Sequence, residues 1–108
     1  MSGERRRNQR QSVVLEAKWE SLSKRHEARV DDVSMGGCFV NTYGQVETGE
    51  RVELKIQLPS GEWLALRGHV ATYQYGVGFG LAFSDLTEAE ENALRDLIAT
   101  VRQSTGGG

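Results

Sequence analysis

Val52-Glu53-Leu54-Lys55-Ile56-Gln57-Leu58 alternates apolar and polar residues without a break, and Pro59-Ser60-Gly61 follows it directly. Successive side chains of a strand point to opposite faces. The run therefore turns Val52, Leu54, Ile56 and Leu58 towards a core and Glu53, Lys55 and Gln57 towards water. Proline fixes φ and glycine tolerates positive φ, which makes Pro59–Gly61 a turn. Trp63 to Tyr73 then returns as the second arm of a hairpin, with Leu64, Leu66 and Val70 inward.

The same period recurs on both sides of this hairpin. From Ser12 to Leu22, Val13, Leu15, Ala17 and Trp19 share one face against Glu16, Lys18 and Glu20. Glu27 to Val33 is a more polar strand, interrupted at Ser34-Met35-Gly36-Gly37, and Cys38 to Thr42 resumes it. Gly44 to Gly49 is a turn-rich connection. In Val77 to Phe83 the large residues fall on one side and the small ones on the other, which admits close approach to the small side. The period then changes. Thr87 and Glu90 fit a capping box, and Leu94, Leu97, Ile98 and Val101 follow helical spacing. This predicts one amphipathic helix near 88–102, with Ala89 and Ala93 allowing tight seating. Six or seven short strands without β-α-β alternation exclude a doubly wound sheet. Closure into a small barrel capped by the helix removes the exposed edges.

Composition narrows the function. The chain has 108 residues, 38% hydrophobic and 26% charged, with a net charge of −2. That suits one small domain. No apolar run approaches the roughly 18 residues of a membrane span. The Arg-rich start lacks a following apolar segment, which argues against a secretory signal, and the expected location is the cytoplasm. The charge is uneven. Residues 1–10 carry Arg5, Arg6, Arg7 and Arg10 against Glu4, a side-chain charge of +3, which leaves −5 for the rest. Four arginines near a terminus are either a solvated tail or an anion-binding arm, because guanidinium forks onto phosphate and base edges. An acidic body disfavours a nucleic acid polymer, which needs an extended basic face.

Catalytic and metal constellations are missing from the pattern. Gly76-x-Gly78-x-Gly80 lacks the helix and spacing of a phosphate loop. His26 and His69 have no companions at ligand spacing and are expected as surface imidazoles. Cys38 cannot form an internal disulfide and sits among apolar residues as a buried thiol. Asp31 and Asp32 point to opposite sides of an extended strand, and no nucleophile elbow surrounds Ser34. An enzyme is not expected, nor is a metal or resident cofactor.

Two features remain. Arg6 and Arg10 lie four apart, about 6 Å on a helical turn or about 13 Å extended. Asp32-Val33-Ser34-Met35-Gly36-Gly37 sets a carboxylate and a hydroxyl two apart, on one side of an extended strand, before two glycines. A guanine offers N1–H and N2–H to a carboxylate, and N7 and O6 to an arginine fork. Gly36 and Gly37 are expected to allow a sharp turn and leave room for a base or phosphate. The plainer reading of Asp32–Gly37 is a local turn, with Asp32 and Ser34 bonding nearby amides.

Arg6-x-x-x-Arg10 followed by Asp32-x-Ser34-x-x-Gly37 resembles the two-part motif of PilZ domains, bacterial receptors for cyclic di-GMP. The resemblance runs from about Arg5 to Arg102 and includes Asp32–Phe39 and Gly76–Asp85. It implies a mainly β fold, a six-stranded antiparallel β-barrel with a C-terminal α-helix. Residues 1–11 would be a flexible ligand-binding arm, 12–103 the barrel and helix, and 104–108 a flexible tail. It further implies that Arg6 and Arg10 grip guanine edges and phosphates. Asp32 and Ser34 would bond a guanine, with Gly36 and Gly37 beside them and Gly37 keeping the surface open. Arg7 would add a phosphate contact. Arg5, just before the motif, implies an intercalated ligand dimer. Gln11 departs from the family pattern, where a more apolar residue often follows the second arginine. The implied role is an adaptor that signals to a protein partner of a motility, adhesion or polysaccharide system. The alternatives are a PilZ-like interaction module that does not bind the nucleotide, a polynucleotide binder and an enzyme.

Overall fold

The computed structural model describes residues 11–21 and 24–106. The alternating run forms β4 (Arg51–Gln57), paired with β5 (Trp63–Gln74) so that Leu54 lies opposite Leu66 and Ile56 opposite Leu64. Their turn is closed by the Leu58 amide on the Glu62 carbonyl and the Gly61 amide on the Leu58 carbonyl, at 2.7 and 2.8 Å. Gly61 takes a φ of 96°, which a side chain would resist.

The remaining strands are β1 (Gln11–Ser21), β2 (Lys24–Val33), β3 (Gly37–Asn41) and β6 (Gly78–Phe83), followed by α1 (Glu88–Gly106). All neighbours are antiparallel in the order β1-β2-β3-β6-β5-β4, and β4 pairs back onto β1 to close a six-stranded barrel. Gln11, expected in the arm, is the first residue of β1. The helix also continues past its apolar period, through Ser104–Gly106, which were expected as a tail. Residues 103–105 contain no helix breaker, and adding a turn to an existing helix is far easier than nucleating one.

The barrel interior is filled by the inward alternation. Trp19 and Phe79 are almost wholly buried and meet edge to face, with centroids 5.2 Å apart. Burying a ring of this size contributes more than any single aliphatic residue here. The Trp19 Nε1–H donates to Thr42 Oγ1 at 3.0 Å, so the indole's one polar group is satisfied and the loop after β3 is pinned. His26, expected at the surface, is half-buried and stacks on Trp19 at 4.7 Å between centroids. The register explains this, since His26 lies directly opposite Trp19 across β1 and β2. Cys38 is fully buried.

The helix seals one side of the barrel with Leu94, Leu97, Ile98 and Val101, all buried. Its start is the expected capping box. The Glu90 amide donates to Thr87 Oγ1 at 3.1 Å, and the Thr87 amide donates to Glu90 Oε1 at 2.9 Å. Arg67 on β5 then forks onto the Glu90 carboxylate at 2.9 and 2.6 Å and donates to the Asp85 carbonyl at 2.7 Å.

Candidate functional site

The ledge carrying Asp32 and Ser34 departs from a straight strand. Val30 and Val33 are both fully buried although three apart, a spacing that simple alternation forbids. A bulge resolves it: β2 shifts register between Val30 and Asp32 against β3, and β1 shifts between Ser12 and Leu15 against β2. The extra residue resets the phase. Asp31 is exposed and Asp32 half-buried, so neither carboxylate faces the core, contrary to the opposed pair expected from the sequence. Bulges of this kind re-aim side chains and concentrate beside binding sites.

Ser34 opens the turn after β2 and is 2% exposed. Its amide donates to the Gly37 carbonyl at 2.8 Å, and its hydroxyl donates to the same oxygen at 3.3 Å. The Gly36 amide in turn donates to Ser34 Oγ at 3.2 Å. Ser34 is therefore the keystone of its own turn, as the plainer sequence reading had it. Towards a ligand the hydroxyl offers only a remaining lone pair while that network stands.

Neither Gly36 nor Gly37 has positive φ. A Cβ on Gly37 would press into the Leu81 carbonyl of β6. Glycine is required there by the close approach of two strands, an origin different from the open ligand surface expected for it.

Pairing extends the ledge across the barrel. Ser12, Asp32, Phe39, Gly80 and Thr72 lie in one row over β1, β2, β3, β6 and β5. Cys38 and Val40 point inward with no exposure, so the half-buried Phe39 between them presents part of its ring outside, beside Asp32. Gly80 carries no side chain next to it. Phe39 was not singled out from the sequence. Its signal was its phase, an aromatic on the outward beat of β3.

Arg5, Arg6, Arg7 and Arg10 lie outside the described residues. Where they attach is nevertheless fixed. Gln11 is opposite Val33 and Ser12 opposite Asp32, and a peptide link holds the Arg10 Cα about 3.8 Å from that of Gln11. The cationic segment thus joins the barrel beside the acid-and-hydroxyl ledge. Among the described residues, no three His, Cys, Asp or Glu side chains gather in a metal-binding group.

The family model for the PilZ domain matches residues 4–100. The chain belongs to the PilZ domain family. PilZ domains form a family of cyclic di-GMP receptors and are binding modules. A search of curated proteins found no match. Among solved structures, the Bacillus subtilis inhibitor of motility MotI/DgrA superposes with a TM-score of 0.74 at 20% identity, over 89% of this chain and 50% of that one. This chain therefore spans half of that protein's length. The PilZ domain of CeSA from a cellulose synthesizing bacterium gives 0.68 at 19% identity, over 84% of this chain and 96% of that domain. At these identities the likeness is one of fold. Among the described residues no helix is long and apolar enough to cross a membrane.

Proposed function

We propose that this PilZ domain is a cyclic di-GMP receptor that works as an adaptor inside the cell. Arg6 and Arg10 clasp the guanine Hoogsteen edges and phosphates, and Asp32 accepts from the N1–H and N2–H of a guanine. Ser34 shapes the ledge and offers its free lone pair, while Gly36 and Gly37 keep the turn narrow. Arg7 reaches a phosphate, and Arg5 favours two stacked nucleotides over one. The observation that supports the reading is the pairing of Ser12 with Asp32 and of Gln11 with Val33, so that β1 begins beside Asp32 one residue after Arg10 in sequence.

Binding draws the arginines onto the dinucleotide and holds residues 1–10 against the barrel. The ligand stabilises that arrangement by its differential affinity for it. The covered ledge is then a new surface for a protein partner in motility, adhesion or polysaccharide export. MotI/DgrA, described as an inhibitor of motility, supports an output of this kind.

Titration calorimetry with cyclic di-GMP tests the site. A bidentate guanine contact is worth roughly 1–3 kcal/mol, so Arg10→Ala and Arg6→Ala each weaken binding about fivefold or more. Unchanged affinity in either variant overturns the assignment of that arginine, and absence of binding to the unaltered chain overturns the reading.

A further inference from the structure

Beyond the ledge, an open groove of about 620 Å³ runs over the outside of β1, β2 and the end of β3. Among the described residues, Glu16, Glu27 and Asp31 line it against one cation, Arg29. At its far end Tyr43 is 91% exposed, and Val14 on the near side is 68% exposed. Carboxylates interleaved with an open aromatic ring and aliphatic surface match arginine. Guanidinium pairs with carboxylate, lies on aromatic faces, and packs its methylene stem on apolar surface.

We propose that, without nucleotide, residues 4–10 of this same chain seat their arginines in that groove. Two observations favour this occupant over a second copy or another protein. The segment carries +3 where the groove is net acidic. It is also tethered at Gln11, at the end of the groove where the bulged Val14 flanks Asp31. Val14 lies about 10 Å and Glu16 about 17 Å along β1 from Gln11. A segment doubling back from Gln11 has about 13 Å of chain to Arg7 and about 20 Å to Arg5. Both acidic levels are within reach.

The arginines then have two alternative seats, one on the groove and one on the nucleotide. Apparent affinity falls by the fraction of chains whose arginines are available, so the groove sets the threshold for the messenger. That consequence rests on the receptor reading above, whereas the docking itself does not.

Two measurements on the full chain test the proposal. In nucleotide-free protein, an Arg5→Ala/Arg7→Ala variant shifts the NMR amide resonances of Glu27, Tyr43 and Val77. Unmoved resonances overturn the docking, as do shifts that vanish on dilution, which would mark a second copy. In calorimetry with cyclic di-GMP, Glu16→Gln/Glu27→Gln/Asp31→Asn tightens binding about three- to tenfold, the scale of a few exposed ion pairs. Equal or weaker binding overturns the competition. If the unaltered chain binds no cyclic di-GMP, the receptor reading falls while the NMR comparison still decides the docking.

Discussion

At the scale of single residues, the ledge combines positions held by the fold with positions open to a ligand. Gly37 belongs to the first kind, because a Cβ there meets the Leu81 carbonyl and neither strand can retreat from its pairing. Gly37→Ala should cost roughly 1–3 kcal/mol, as overpacking against backbone does, and chemical denaturation measures it. A fully stable Gly37→Ala variant would return Gly37 to the ligand surface. Phe39 belongs to the second kind. Its ring is half-buried beside Asp32, and stacking of a base on an aromatic face is worth about 1–3 kcal/mol. Phe39→Ala should weaken cyclic di-GMP binding about fivefold or more in calorimetry, and Phe39→Tyr should largely keep it. Equal affinity in Phe39→Ala and the unaltered chain would remove the ring from the site. Sequence showed the identities of Asp32 and Ser34 but not how Ser34 is engaged. A hydroxyl bonded to Gly37 and one facing a ligand have the same letter, and only the closed turn distinguishes them.

At the scale of elements, strands and helix were legible because each buries one face, and burial of one face leaves a period of two or 3.6 in the sequence. The β4–β5 hairpin and the Thr87–Glu90 cap show this most directly. The bulges were not legible. Asp31-Asp32 gives no sign of which acid is the extra residue, since that depends on how far β1 and β3 have slipped along β2. The join between helix and barrel was hidden for a similar reason: Arg67 and Glu90 are distant in sequence and meet only when the barrel closes. The Arg67 guanidinium, together with the Thr87 amide, holds the Glu90 carboxyl down to about 2 from an ordinary 4.5. A lowered carboxylate stabilises the folded state fully above its unfolded value and loses that contribution as pH falls through its folded one. Stability should therefore decline between about pH 5 and pH 2. Glu90→Gln keeps a capping side chain but removes the charge, so its deficit should be largest at neutral pH and close to nil near pH 2. Denaturation midpoints across this range decide it, and a deficit independent of pH would mean that the ion pair contributes nothing.

At the scale of the whole molecule, closure ties the ledge to everything else. β1 is paired on one side with β2, which carries Asp32, and on the other with β4, which completes the ring. The ledge cannot come apart without opening the barrel around Trp19, so unfolding of the site and of the core should be one event. A ligand that binds only the folded chain then stabilises all of it, by about 2.7 kcal/mol at a hundred times its Kd. For a domain near 100 residues, each kcal/mol moves the melting midpoint by roughly 4–8 °C. Cyclic di-GMP at that excess should therefore raise Tm by more than about 10 °C, with the rise growing as the logarithm of its concentration. Arg10→Ala should melt near the unaltered protein without nucleotide, and should show a far smaller rise at the same concentration. Glu90→Gln, altered at the helix, should start lower yet keep the full rise. Should calorimetry register tight binding while Tm stays fixed, the ledge would be separating from the barrel before the core melts, and closure would not be what holds Asp32 in place.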